Sequence, residues 1–354
     1  MSPQRLLAPL VATILVTTAC GSSSGAAPEA VPSDKITITW QSTGGEAQKQ
    51  EAEALQGPFT AKTGVKFNNV TSLSYISQVQ TMVKSGKTVW DVVHTGSYLA
   101  KAYCGTLFEK IDMSRMPATQ VPEGTTTECS VPGTKFATEF AYNTTAYKGN
   151  VPTKINDFFD TKTFPGKRVF YNNPKGILEA ALVADGVAPE QLYPLDVDRA
   201  LKKLGTIKSD IIFAPSYTAF QQNLVDKQAT MALGLNGRLH ITNESGGTMA
   251  PVWDFTSWDY TAWLIPKGAP NAKAAEEAVA FALEPEQLIK FCAMNGLTPV
   301  RTDIDLNKIP FTETAKVFNP FLGSDRGRQA RQDNTFWAEN IAEVTKKWTA
   351  WQVG

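Results

Sequence analysis

The run WDFTSWDYTAW, Trp253 to Trp263, sets three tryptophans, a phenylalanine, a tyrosine and two aspartates side by side. Ring faces attract cations, and carboxylates neutralise amines. Trp253, Trp258 and Tyr260 are therefore candidate walls of a pocket for a small organic molecule, with Asp254, Asp259 and Thr261 as its polar contacts. Core packing is the competing account of the same rings. Other chemistry-bearing patterns are sparse. The histidines are His94 and His240, and the sequence has no GxSxG, HExxH, CxxC, EF-hand or P-loop pattern. Catalysis, a resident metal and a cofactor are not expected.

Such a pocket needs loops held at the ends of strands. KITITWQ alternates as a strand, the stretch after Gly45 has helical spacing up to Gly64, and VKFNNV is a second strand. A helix through Ile76, Val79 and Val83 and a third strand, VWDVVHT, follow. This alternation predicts an α/β fold with a parallel sheet and right-handed crossovers. It resumes with RVFYNN, GILEAALVADG, LDVDRALKKLG, DIIFAP, YTAFQQNLVDKQ and ATMALGL. In parallel sheets, ligands lie beyond the carboxyl ends of strands, against helix N-termini. Two loops of the first set stand there: Ser42-Thr43-Gly44-Gly45-Glu46, and Thr95-Gly96 with Ser97 and Tyr98. Each offers hydroxyls, backbone N–H groups and close approach at glycine; a plain capped turn is the alternative for each. Ser216 and Tyr217 join the candidates from the second set, and Arg238 is a candidate for holding a carboxylate bidentately.

The 354 residues are 42% hydrophobic and 19% charged, which suits a folded chain with room for two lobes. Lys+Arg and Asp+Glu are both 34, so no basic excess points to nucleic acid. Residues 1–19 read as an export signal, with the apolar run Leu6 to Val16 too short to span a bilayer. The Ala19-Cys20 junction resembles a bacterial lipoprotein cleavage site, with Cys20 as the lipidated residue; Thr17 departs from the usual Leu or Val, and plain secretion is the alternative. Residues 20–34 form a small, polar tether that reaches roughly 20 Å as a coil. Cys104 and Cys129 are expected to pair in an exported protein, two separate thiols being the alternative, and Cys292 to be a buried thiol.

Several segments together resemble extracellular solute-binding proteins of the spermidine/putrescine type, which serve ABC importers. GGEAQKQEAEALQGPFTAKTGVKF is similar to that family's opening, and FPGKRVFYNNPKGILEAALVADGVAPEQLYPLDVDRALKKLGTIK to its second-lobe signature. WDVVHTGSYLAKAYCGTLFEKID, LNGRL, VWDF, LIPKGAPN and FWAENIAEVTKKWTAW extend the likeness over nearly everything from Lys35 onward. The resemblance implies a type II periplasmic-binding-protein fold: lobe 1 over 35–140 plus 266–354, lobe 2 over 141–265, and chain crossings near Ala141-Tyr142-Asn143 and Trp263-Leu264-Ile265. It implies closure on a small organic solute (an amine, amino acid or carboxylate) and delivery by a monomer to permease transmembrane subunits. Three family positions for polyamines are altered, at Thr261, Gly176 and Leu235; Glu46, Glu139, Asp254 or Asp259 would have to compensate. The expected solute is therefore not classical spermidine, which stands as the runner-up. The iron sites of the wider superfamily use paired tyrosines, and no adjacent Tyr-Tyr occurs. An exported enzyme or a sensor on the same scaffold are the rival classes.

Overall fold

The computed structural model describes residues 33–72, 74–117 and 120–354. The expected export signal, Cys20 and the expected tether up to residue 32 lie outside the described residues.

The first layer is built as the alternation predicts. β1 (Thr37–Ser42) leads into α1 (Gly45–Glu51), which continues through a π-helical turn into α2 (Gly57–Thr63). β2 (Lys66–Thr71), α3 (Tyr75–Ser85), β3 (Val92–Gly96) and α4 (Tyr98–Tyr103) follow. β1 pairs in parallel with both β2 and β3. Gly64 and Gly86 end their helices in the left-handed conformation that favours glycine. Cys104 and Cys129 form a disulfide with Cα atoms 5.6 Å apart, and Cys292 is a buried free thiol.

The second set comprises β4 (Thr134–Asn143), β5 (Arg168–Tyr171), α5 (Ile177–Ala184), α6 (Val197–Gly205), β6 (Ile211–Ala214), α7 (Tyr217–Val225), β7 (Met231–Leu235), α8 (Asn236–Glu244) and β8 (Met249–Leu264). The chain ends through α9 (Ala272–Ala282), α10 (Pro285–Asn295), β9 (Thr298–Pro299), α11 (Glu313–Val317), β10 (Arg328–Arg331) and α12 (Asn334–Val353). Strand order is β2-β1-β3-β8-β4-β7-β5-β6, with β10 on β8 and β9 on β4.

β8 joins the two halves. Its last residues, Thr261 to Leu264, pair antiparallel with β3, while the stretch up to Tyr260 pairs with β4. The run WDFTSWDYTAW is thus the middle and end of one 16-residue strand. Ala141, Tyr142 and Asn143 lie within the sheet against Ala232, Met231 and β8. Trp263 and Leu264 are likewise paired with β3. The side chains of α12 reach elements of both halves. Asn334 and Thr335 bond Ser97 and Lys101 beside α4. Further along, Trp337 donates to Glu179 of α5, Lys347 pairs with Asp198 of α6, and Trp348 donates to Asn172 after β5.

The apolar core does not divide between the halves: one cluster lies in the first layer, and a larger one joins Val79, Val93 and Leu99 of the first half to the second. Ile38, Trp40, Phe59, Val92 and Trp263 pack with Phe291 beneath the first layer. Phe170, Leu178, Leu204 and Leu233 anchor a larger cluster that takes in Trp337 and Trp348 of α12.

Candidate functional site

Strand ends and helix starts of both halves face one cleft of about 520 Å³. From the first half come Ser42 and Thr43 after β1, Thr95 and Gly96 at the end of β3, Tyr75 of α3 and Tyr98 of α4. Tyr171 and Lys175 follow β5, Tyr217 opens α7, and Arg238 lies in the first turn of α8. α12 adds Ile341, Ala342 and Thr345. Ligand sites at the carboxyl ends of sheet strands follow from the converging helix starts and free backbone N–H groups there.

Arg238 spans the cleft. It is 5% exposed, its Nη2 donates to Thr43 Oγ1 at 2.5 Å, and its Nη1 to the Gly44 carbonyl at 3.4 Å. The guanidinium carbon lies 4.5 Å from the centroid of Tyr217, which itself stacks on Tyr171 at 4.3 Å. Only glycine fits at position 44, whose carbonyl Arg238 bonds. Its φ of 75° suits glycine, and a Cβ there would stand 2.6 Å from Thr71 Cγ2. Among the described residues, no carboxylate lies within ion-pair distance of Arg238. Burial draws its ionisation down, opposed by Tyr217, Glu51 and Tyr171. Burial also pushes the Tyr171 hydroxyl up to about 12, so that it stays a neutral donor.

Glu51 and Asp259, beside the cleft, each already have a cationic or donor partner. Glu51 is 1% exposed and accepts from Ser42 Oγ at 2.7 Å, Trp263 Nε1 at 2.8 Å and Trp40 Nε1 at 3.1 Å; His94 Nδ1 lies 2.9 Å away. Burial alone would raise this carboxyl, but His94 and the donated hydrogen bonds outweigh it and hold the group below its ordinary value. Asp259 is fully buried and pairs with Lys175 at 3.2 Å.

The sequence candidates separate into two groups. Ser42, Thr43, Tyr98, Tyr217, Arg238 and Thr261 line the cleft together; Gly44 and Gly45 do not line it but lie next to Arg238, Gly44 through its carbonyl. Glu46 turns outward to Lys49. Ser97 is buried and accepts from Asn334, and Ser216 caps α7 through the Ala219 N–H. The aromatic run does not form the wall expected of it. Trp253 faces Arg326, Trp258 packs on Tyr260 and Phe321, and Tyr260 sits under Arg331. Asp254 accepts from the Ile155 N–H and pairs with Arg328. Alternation along β8 is the reason: in this long strand shared by two sheets, most of these side chains point to packed faces.

The three altered polyamine positions are also explained. Thr261 lines the cleft with its hydroxyl bonded to Thr134 in place of an acid, and Leu235 lines it with an aliphatic side chain in place of a stacking ring. Gly176 has φ of 80°, and any Cβ there would collide with Thr138. Glu139 does not take over: it lies buried on the side of β4 opposite Phe136 and Thr138, and burial pushes its carboxyl well above the ordinary range.

Sequence reading missed Lys175, Glu51, His94, Tyr75 and Tyr171. The rule that selected the loops after β1 and β3, applied to NNPKG after β5, would have found Lys175 and its neighbours. Glu51 had no such signal, since it stands among the acids and lysines of an apparently solvated helix.

Comparison with known proteins bears on this cleft. The family model for bacterial extracellular solute-binding proteins matches residues 54–319. A γ-aminobutyric acid-binding protein of Pseudomonas aeruginosa is 31% identical over 89% of this chain and 90% of its own length. The solved Atu4243 GABA receptor is 31% identical with a TM-score of 0.77, covering 89% of this chain and 97% of that one. AgtB of A. tumefaciens R10, in complex with agropinic acid, is 28% identical with a TM-score of 0.82, covering 90% and 99%.

Proposed function

We propose that this chain, which belongs to the bacterial extracellular solute-binding proteins, is the receptor of an ABC importer for a small carboxylate-bearing solute, which Arg238 anchors by its carboxylate. One observation carries the reading: among the described residues, a buried guanidinium lines the cleft bonded to a hydroxyl and a carbonyl, beside a tyrosine face and with no carboxylate at ion-pair distance. A buried cation without a counter-ion is costly, and a solute carboxylate would remove that cost. The relatives described as binding γ-aminobutyric acid and agropinic acid both take acids, which supports the same choice. Classical spermidine fits less well, because Glu51 and Asp259 already serve His94 and Lys175.

Closure is part of the proposal. Arg238 of α8 bonds the loop after β1, so a solute held at Arg238 would draw the two halves together and favour the closed form. The lobes would exchange chain near Thr134 and Thr261, where β4 and β8 leave the second half of the sheet. The closed receptor would be a monomer tethered through lipidated Cys20 and would dock on permease transmembrane subunits. Titration calorimetry with γ-aminobutyrate, butyrate and spermidine tests the choice of solute. Arg238→Met is expected to cut carboxylate affinity by at least about 30-fold, the effect of losing a buried charge partner worth about 2–5 kcal/mol. Sub-micromolar spermidine binding, or carboxylate binding untouched in the variant, overturns the proposal.

A further inference from the structure

The cleft holds a second cation, and its surroundings are those of a captured ligand. The Lys175 side chain is 9% exposed. Its Nζ lies 3.2 Å from Asp259 Oδ2, 3.8 Å from the centroid of the Tyr98 ring and 5.1 Å from that of Trp337. A carboxylate with ring faces around it is a general device for holding an alkylammonium group. The walls come from separate parts of the chain: Asp259 from β8, Tyr98 from α4 and Trp337 from α12. Asp259 is wholly buried, and its other oxygen, Oδ1, has no hydrogen-bond partner, so the cage keeps spare acceptor capacity.

We infer that Lys175 is the built-in occupant of a cation cage made by Asp259, Tyr98 and Trp337, and is the residue that denies this end of the cleft to a solute ammonium. Selection against diamines then comes from a filled site as well as from absent acids. A lysine tail of four methylenes has the reach and charge of a butylammonium ion, so its place is the one that one end of putrescine would take. Burial draws the Lys175 ammonium down while Asp259 and Glu179 oppose the shift, as expected for a cation held in a dry, acidic niche. This inference rests on the cleft being the solute site.

The test empties the cage. Lys175→Ser is expected to bind putrescine at least tenfold more tightly than the wild type. Its melting temperature should rise by several degrees with propylammonium chloride, beyond the effect of potassium chloride. Lys175→Ser/Asp259→Asn should lose both responses. Lys175→Gln keeps a donor against Asp259, which guards against a folding failure; it is expected to show a smaller gain for putrescine. The inference is overturned if putrescine affinity is unchanged in both single variants, or if the double variant responds to propylammonium as Lys175→Ser does. Butyrate titration of the wild type separates the two readings. Its failure to bind removes the carboxylate receptor, whereas amine responses absent from a protein that does bind butyrate remove only the cage.

Discussion

Arg238 and Lys175 line one cleft, come from the same half of the chain and are similarly buried, yet their surroundings are opposite. Lys175 has a carboxylate at 3.2 Å and rings beside it. Arg238 has a threonine hydroxyl, a backbone carbonyl and a tyrosine face. A charge whose partner is built in is part of the structure. A charge left with neutral partners is available to a ligand, because the ligand's counter-charge repays a desolvation already incurred in folding. The difference teaches that burial alone does not mark a binding residue; the missing partner does.

Breaking the pair should have the largest effect on the fold. Asp259→Ala leaves Lys175 buried without its carboxylate, and denaturant unfolding is expected to show a loss of about 3–5 kcal/mol. Arg238→Met has no such partner to strand, so its stability should stay within about 1 kcal/mol of the wild type while its carboxylate affinity collapses. Equal stability losses in the two variants would erase the contrast.

A third buried charge, Glu51, sharpens it further. Its carboxyl is held below the ordinary 4.5 of the unfolded chain. A lowered folded value means that the unfolded state binds the proton first. The stabilisation is therefore complete above about pH 4.5 and disappears as the pH falls through the lowered folded value. Glu51→Gln should flatten this acid limb of the stability curve, read as melting temperature against pH. An acid limb of undiminished steepness would place its origin in other carboxylates. Smallest of all is Glu46→Ala. Its partner Lys49 is 78% exposed, and such surface pairs contribute little, so both affinity and melting temperature should remain unchanged within error.

Much of the site was legible where a positional rule applied. Thr43, Tyr98 and Tyr217 were found because strand ends and helix starts are marked by local spacing. The same rule was not carried to the loop after β5, and Lys175 was missed for that reason alone. The tryptophan run misled in the other direction: Phe255 and Trp263 belong to apolar clusters, while Trp253, Trp258 and Tyr260 lie against Arg326, Phe321 and Arg331. Trp263 illustrates this, donating to Glu51 at 2.8 Å inside the first core. TKFATEFAYN was not singled out as a strand; it forms β4, paired on one side with β7 and on the other with β8, with Glu139 buried within it.

By itself the sequence determined the alternating α/β plan, the loops that bear the first half of the cleft, and, against the family it resembles, the missing acids at Thr261 and Gly176 and the missing tryptophan at Leu235. Those are local properties, carried by periodicity, glycine and residue type. Only the tertiary structure decided which charges stay open to a solute. Pairing of Lys175 with Asp259, separated by 84 positions, and of Arg238 with Thr43, separated by 195, depends on how distant strands are brought side by side. No local pattern encodes that, because an ion pair is made by distance in space, and the long strand β8 sets it by joining both halves of the sheet.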